Sequence, residues 1–253
     1  MLLQILIIGH LIGDFFLQPA KLAEKKSNSI KFLLLHSLIY LSIFAILSFL
    51  FINWLYALIS FLIISVSHFL IDWLRMHLDR KISNEKFHFF SFVFDQLLHL
   101  SIITITNYVF SLSNRTNSVF KQILCCINTQ NIILYILLIA IILTPTAVFI
   151  KKLFLCLFGK AEASLQETDT SESSANVSTI NVGNLIGQLE RVIISVLLLV
   201  GQYGVVGLVL TAKSIARFKQ LENKDFAEKY LVGTLFSILI AIVSTLIIKS
   251  LLI

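Results

Sequence analysis

The chain reads as an all-α polytopic bundle of transmembrane helices, and three observations carry that fold class. Hydrophobic residues fill 57% of its 253 positions and charged residues only 13%, where a soluble domain carries about a quarter charged. Mean hydropathy is +0.91. The apolar residues gather into runs close to the ~20 residues a helix needs to cross hydrocarbon. A chain of this kind is solvated mainly by lipid and makes about six to seven passes.

The runs cover residues 2–19, 31–51, 54–75, 88–112, 131–158, 186–210 and 230–253. The first is short and ends at Pro19. No Lys or Arg precedes Lys21, and no small-x-small site follows, so it reads as a mature helix rather than a secretory signal. Pro145 predicts a kink in the fifth run. Trp54, Tyr56 and Trp73 stand near span ends, where aromatic side chains anchor at the interface. Residues 159–184, "GKAEASLQETDTSESSANVSTINVGN", hold too few large apolar groups to order themselves. The expected organisation is therefore an N-terminal bundle over 1–158, a flexible polar linker over 159–185 and a C-terminal hairpin over 186–253.

The net charge of +6 is spread over short loops rather than gathered in one patch, which fits membrane orientation and excludes a nucleic-acid partner. The basic loops 20–31 and 75–87 belong in the cytoplasm and the N-terminus outside. Lys151 and Lys152 agree. Lys213, Arg217, Lys219, Lys224 and Lys229 conflict with seven simple spans, so a late segment is re-entrant or interfacial, or a span is miscounted. Ile215, Phe218 and Leu221 recur there at helical spacing, as on an amphipathic surface helix. Cys125, Cys126 and Cys156 have no CxxC spacing and read as apolar fillers. No phosphate-binding glycine loop in a suitable context points to nucleotide use.

Ionisable residues inside the spans are the anomaly, since each costs a few kcal/mol to place in hydrocarbon. His10, Asp14 and Gln18 lie in the first run, His36 in the second, His68 and Asp72 in the third, and Asp95, Gln96 and His99 in the fourth. Residues four apart share a helix face. Three helices thus present a His/Asp pair on one stripe and a fourth adds a histidine. At 1.5 Å per residue, Asp14, His36, His68 and Asp72 lie about 5–10 Å from a basic helix exit, Asp95 about 13 Å and His99 about 20 Å. A bundle of these helices would bring them together. Imidazole and carboxylate on facing helices suit a divalent Zn, Mn or Fe ion. The metal candidates are His10, Asp14, His36, His68, Asp72, Asp95 and His99, with Gln18 and Gln96 behind them or facing substrate. Alternatives remain open: a proton or cation pathway, or structural hydrogen bonding alone. His77 and His88 lie in or beside a charged loop and read as solvated.

"GHLIGDFFLQ", "HFLID", "FDQLLHL", "IGQLERVII", "AKSIARF" and "YLVGTLFS" together resemble a bacterial membrane family known as domain of unknown function 3307. The resemblance implies a multi-pass protein of the bacterial inner membrane and groups the motifs without assigning a reaction. A looser likeness, in motif pattern alone, is to inner-membrane metal-dependent hydrolases. Past the linker, Glu190 is a candidate ligand or general base, and Arg191 a candidate for binding an anionic head group or phosphate. Lys213 and Arg217 form a second cationic stripe suited to substrate charge. Interfacial snorkelling competes for all four. The expectation is a metal-dependent hydrolase acting on a lipid-linked or phosphate-bearing substrate. A proton- or cation-coupled transporter and a regulatory membrane scaffold are the rivals.

Overall fold

A computed structural model of the chain describes residues 1–18, 22, 26, 29–124, 128–159 and 182–252. Pro19, Cys125, Cys126 and nearly all of the polar stretch read as a linker lie outside the described residues. The rest is helical: α1 (Leu2–Leu11) running into a π turn (Ile12–Phe16), α2 (Ile30–Phe51), α3 (Trp54–Lys81), α4 (Glu85–Val109), α5 (Ser118–Leu124), α6 (Thr129–Ile142), α7 (Thr144–Phe158), α8 (Val182–Val200), α9 (Tyr203–Ala216) and α10 (Lys224–Leu251). With α6 and α7 taken as one broken span, six helices are long and apolar enough to cross a membrane, while Leu2–Phe16 and Tyr203–Ala216 are shorter apolar helices. These helices fit an integral membrane protein. In hydrocarbon every backbone polar group must be satisfied within the segment, which a helix does.

The described residues fall into two compact units, Met1–Ala140 and Ile141–Ile253. In the first, α1 packs against α2 and α4, and α3 against α2 and α4, so four helices enclose one interior. Each of the three long helices buries a single narrow stripe. In α2 it is Leu33, His36, Tyr40, Phe44 and Ser48. In α3 it is Ala57, Ser60, Ile64, His68, Asp72 and Met76. In α4 it is Phe92, Asp95, His99, Ile103 and Thr106. Steps of three and four residues make one face. Only 28% of the apolar window of each of these helices is buried, and the outward faces carry Leu38, Ile46, Val66, Leu70, Phe94 and Ile105. Such surface needs lipid rather than water.

One end of this unit is apolar and tightly tied. Leu2, Leu6, Ile52, Ala57, Leu112 and Phe120 share a core cluster with Tyr40, Phe44, Ile64 and Ile103. The segment after α4 docks there: Asn53 N–H donates to the Arg115 carbonyl at 2.8 Å and Asn117 N–H to the Phe51 carbonyl at 3.1 Å. At the other end α3 finishes in Arg80 and Lys81, and Asn84 caps α4 by accepting from the Lys86 N–H at 2.9 Å.

In the second unit, Pro145 lies in the first turn of α7 and the helix breaks at Leu143, as the sequence predicts. The break frees carbonyls that α6 cannot satisfy. Arg191 on α8 satisfies them: its Nε–H donates to the Ile142 carbonyl and an Nη2–H to that of Leu143.

The structure corrects the reading of 186–210 as one span. α8 ends at Val200, and Gly201, at φ +82°, turns the chain into a separate helix, α9. α8 and α10 run parallel, since Arg191 reaches Ser237, Ser195 pairs with Thr245, and Lys249 donates to the Leu198 carbonyl. The connection between them must therefore run back along the pair. α9 does this, and its Lys213 meets Glu190, in the first half of α8, at 2.6 Å. Fourteen residues span about 21 Å, short of the ~30 Å core. The amphipathic surface helix expected over 211–229 is instead the last turn of α9, a single 3₁₀ turn (Gln220–Glu222) and the first turns of α10.

Candidate metal centre

Seven ionisable side chains from α1, its π turn, α2, α3 and α4 converge inside the first unit. His10, Asp14, His36, His68, Asp72, Asp95 and His99 are all buried, none more than 7% exposed. Asp14 is the hub. His68 Nε2 lies 2.8 Å from its Oδ1, and His36 Nε2 lies 3.3 Å from the same oxygen. The Gln96 amide donates to its Oδ2 at 3.0 Å, and His10 Nε2 and His99 Nδ1 stand 4.0 Å from that oxygen.

The local fold explains how Asp14 gets there. The Leu17 N–H donates to the Ile12 carbonyl at 2.9 Å, the five-residue step of a π turn. The turn is wider than an α-helical one, and such turns gather at functional sites. It sits against α2 because Gly13 has no side chain: a Cβ there would lie 2.8 Å from Tyr40 Cδ2. The wider turn also changes the register past Asp14. Gln18, four residues on, is half-buried, and none of the described contacts of the cluster involves it.

The other two aspartates are already matched to permanent cations. Lys26 Nζ lies 2.6 Å from Asp72 Oδ2. Arg75 donates to Asp95 Oδ2 at 3.0 Å, and its Nε stands 3.4 Å from Asp79, which also meets His88 at 3.2 Å. Gln96 donates to Asp95 Oδ2 at 3.1 Å and so links Asp95 to Asp14. Among the described residues, three carboxylates thus face two fixed positive charges, and Asp14 is left to histidines and an amide.

The rings are fixed by stacking. Tyr40 lies flat on His68 with centroids 3.5 Å apart, and His68 on His99 at 4.5 Å. His10 Nδ1 and the Tyr40 hydroxyl are 3.2 Å apart, and His10 Nε2–H donates to Gln96 Oε1 at 3.2 Å. Against this order, both ring nitrogens of His99, both of His36, and His68 Nδ1 are buried with no hydrogen-bond partner among the described residues. An unsatisfied buried polar atom costs about 1–3 kcal/mol. So many imidazole nitrogens left over beside carboxylates are what a metal ion would use.

Three donor groups meet the spacing of a cation site. His10, Asp14, His68 and His99 each place one donor atom within 4.8 Å of all the others; so do His36, His68 and Asp72, and so do Asp72, Asp95 and His99. Tetrahedral ligands at about 2.1 Å from a metal lie about 3.4 Å apart. Small side-chain movements would close the first group onto an ion.

The remaining sequence-derived candidates lie in the second unit. Arg191 is 3% exposed, and its donors go to the carbonyls of Ile142 and Leu143 and to Ser237 Oγ at 3.2 Å. Glu190 pairs with Lys213. Lys213 and Arg217 both face the Tyr230 ring, at 5.2 and 5.9 Å. His77 is exposed and stacks beside Trp73, apart from the centre.

Sequence reasoning passed over three residues of the centre. Tyr40 was legible: it is four residues after His36 and continues its stripe. Arg75 was legible too, three after Asp72, yet its charge reads first as a membrane-orientation signal. Lys26 carries no local signal, because no helical spacing links it to Asp72.

A family model described as "Protein of unknown function (DUF3307)" matches residues 2–127, a stretch that holds the whole cluster. The chain belongs to that family through its N-terminal half. No curated protein and no solved structure matches the chain significantly, and the likeness to metal-dependent hydrolases finds no support in these comparisons.

Proposed function

We propose that this DUF3307 protein binds a divalent transition metal, Zn, Mn or Fe, in its N-terminal helical bundle and uses it to hydrolyse a lipid-linked or phosphate-bearing substrate. One observation supports the reading above the others: the buried donor set of His10, Asp14, His68 and His99, drawn from α1, its π turn, α3 and α4, in which both nitrogens of His99 have no other described partner. His and carboxylate side chains projecting inward from facing helices are how bundle-core metal sites are built.

A bound metal would supply a hydroxide at neutral pH and polarise the scissile group. The protein's own residues would do the rest. Tyr40 holds the His68 and His10 rings, Gln96 orients Asp14, and the four-helix wall keeps the centre out of bulk water. Arg75, at the edge of the cluster, would hold Asp95 and Asp79 in place. Arg191 is engaged by the helix break, so the reading rests on the first unit alone.

The test is hydrolysis of lipid phosphates and lipid diphosphates by the full chain in detergent. Wild type should release phosphate, chelator should abolish release, and His99→Ala should lower it at least 100-fold. Phosphate release that is equal in wild type, chelated protein and His99→Ala would end the proposal.

The cation-relay reading has its own support: Tyr40, His10, Gln96, Asp95 and Arg75 form a continuous chain of polar contacts inside the bundle, from Tyr40 to Arg75. Proton or cation flux into proteoliposomes, without hydrolysis, is the result that would favour it.

A further inference from the structure

We infer that the bundle contains a second cation site, made by His36, His68 and Asp72, and that the Lys26 ammonium stands in for its metal. The inference rests on the metal reading of the first group and adds a second position beside it.

The geometry of His68 comes first. Its Nε2 faces Asp14 Oδ1 at 2.8 Å, while Nδ1 faces Asp72 Oδ2 at 3.7 Å. One imidazole thus points a donor into each of two adjacent groups. His36 comes second. Its Nε2 lies 3.3 Å from Asp14 Oδ1 and 3.4 Å from Asp72 Oδ2, fully buried, and neither approach has the alignment of a hydrogen bond. A ring nitrogen set between two carboxylate oxygens without bonding either is placed for a shared cation. Lys26 comes third. Its Nζ, 2.6 Å from Asp72 Oδ2, is the positive charge at this second group. An ammonium and a divalent ion compete for the same oxygen, because both satisfy a buried carboxylate by charge. With Lys26 in place the second site is closed. The third carboxylate of the neighbourhood, Asp95, has its Oδ2 held by Arg75, and the second site does not use it.

The consequence is a stoichiometry. The whole chain, purified in detergent and equilibrated with Zn²⁺, should hold one equivalent. Lys26→Met, which keeps most of the length of the side chain and removes its charge, should hold two. Lys26→Arg should hold one. Lys26→Met combined with His36→Ala should return to one, because only the second group uses His36. Lys26→Gln serves the same purpose should the Met variant be unstable. Two equivalents in wild type, or one in both Lys26→Met and Lys26→Gln, would overturn the inference while leaving the first site standing; in the latter case Asp72 takes a proton instead. No zinc in any variant would overturn the metal reading itself.

Discussion

At the scale of single residues, the candidate centre depends on how closely the π turn approaches α2. Gly13 permits that approach, and Tyr40 transmits it by stacking on His68. Gly13→Ala should push the Tyr40 ring away from α1 and cost about 1–3 kcal/mol, as overpacking does. It should also weaken metal binding roughly tenfold, in the range seen when a residue that orients a ligand is disturbed. Thermal unfolding and zinc titration in detergent measure the two effects; an unchanged midpoint and affinity would show that the contact is slack. The histidines and aspartates were readable in advance because lipid makes every buried charge conspicuous, and spacing by four puts them on one stripe. Lys26 was not readable, since its partner is 46 positions away along the sequence and no periodicity links them.

At the scale of elements, the departures from the sequence reading occur where a helix is interrupted. Within the apolar run over 186–210 the glycines of "VGQYGVVG" allow a broken helix without fixing its place, and Gly201 at φ +82° is where α8 ends. The π turn is hidden, because "IGDFF" has the composition of the helix before it. Pro145, by contrast, declares its break. That break is closed by Arg191, whose guanidinium reaches two carbonyls that a shorter fork could not serve together. Arg191→Met should leave both buried carbonyls unpaired, at about 1–3 kcal/mol each. Lys should rescue little of it. The zinc content carried by the first unit should be unchanged in both variants. Equal unfolding midpoints for wild type and Arg191→Met would show that the bonds to the break contribute nothing.

At the scale of the whole molecule, lipid solvation and buried chemistry come from the same helices. Three long helices expose most of their apolar surface and reserve one narrow stripe for the interior, and on that stripe the polar residues sit. Composition was enough to predict helices and membrane. It was not enough to count the spans, because α9 is apolar yet only 14 residues long. Returning along α8, it accounts for the basic residues 213–229 that seven simple spans could not place. The central claim is that the first unit closes around a metal through Asp14, the aspartate of the cluster that has no permanent cationic partner among the described residues. The most direct measurement is the metal content of the whole chain, purified without chelator, beside Asp14→Asn. This account predicts at least one equivalent of Zn, Mn or Fe in wild type and its loss in Asp14→Asn, with the fold retained. A wild-type protein without transition metal, or an Asp14→Asn variant that keeps it, would contradict the account.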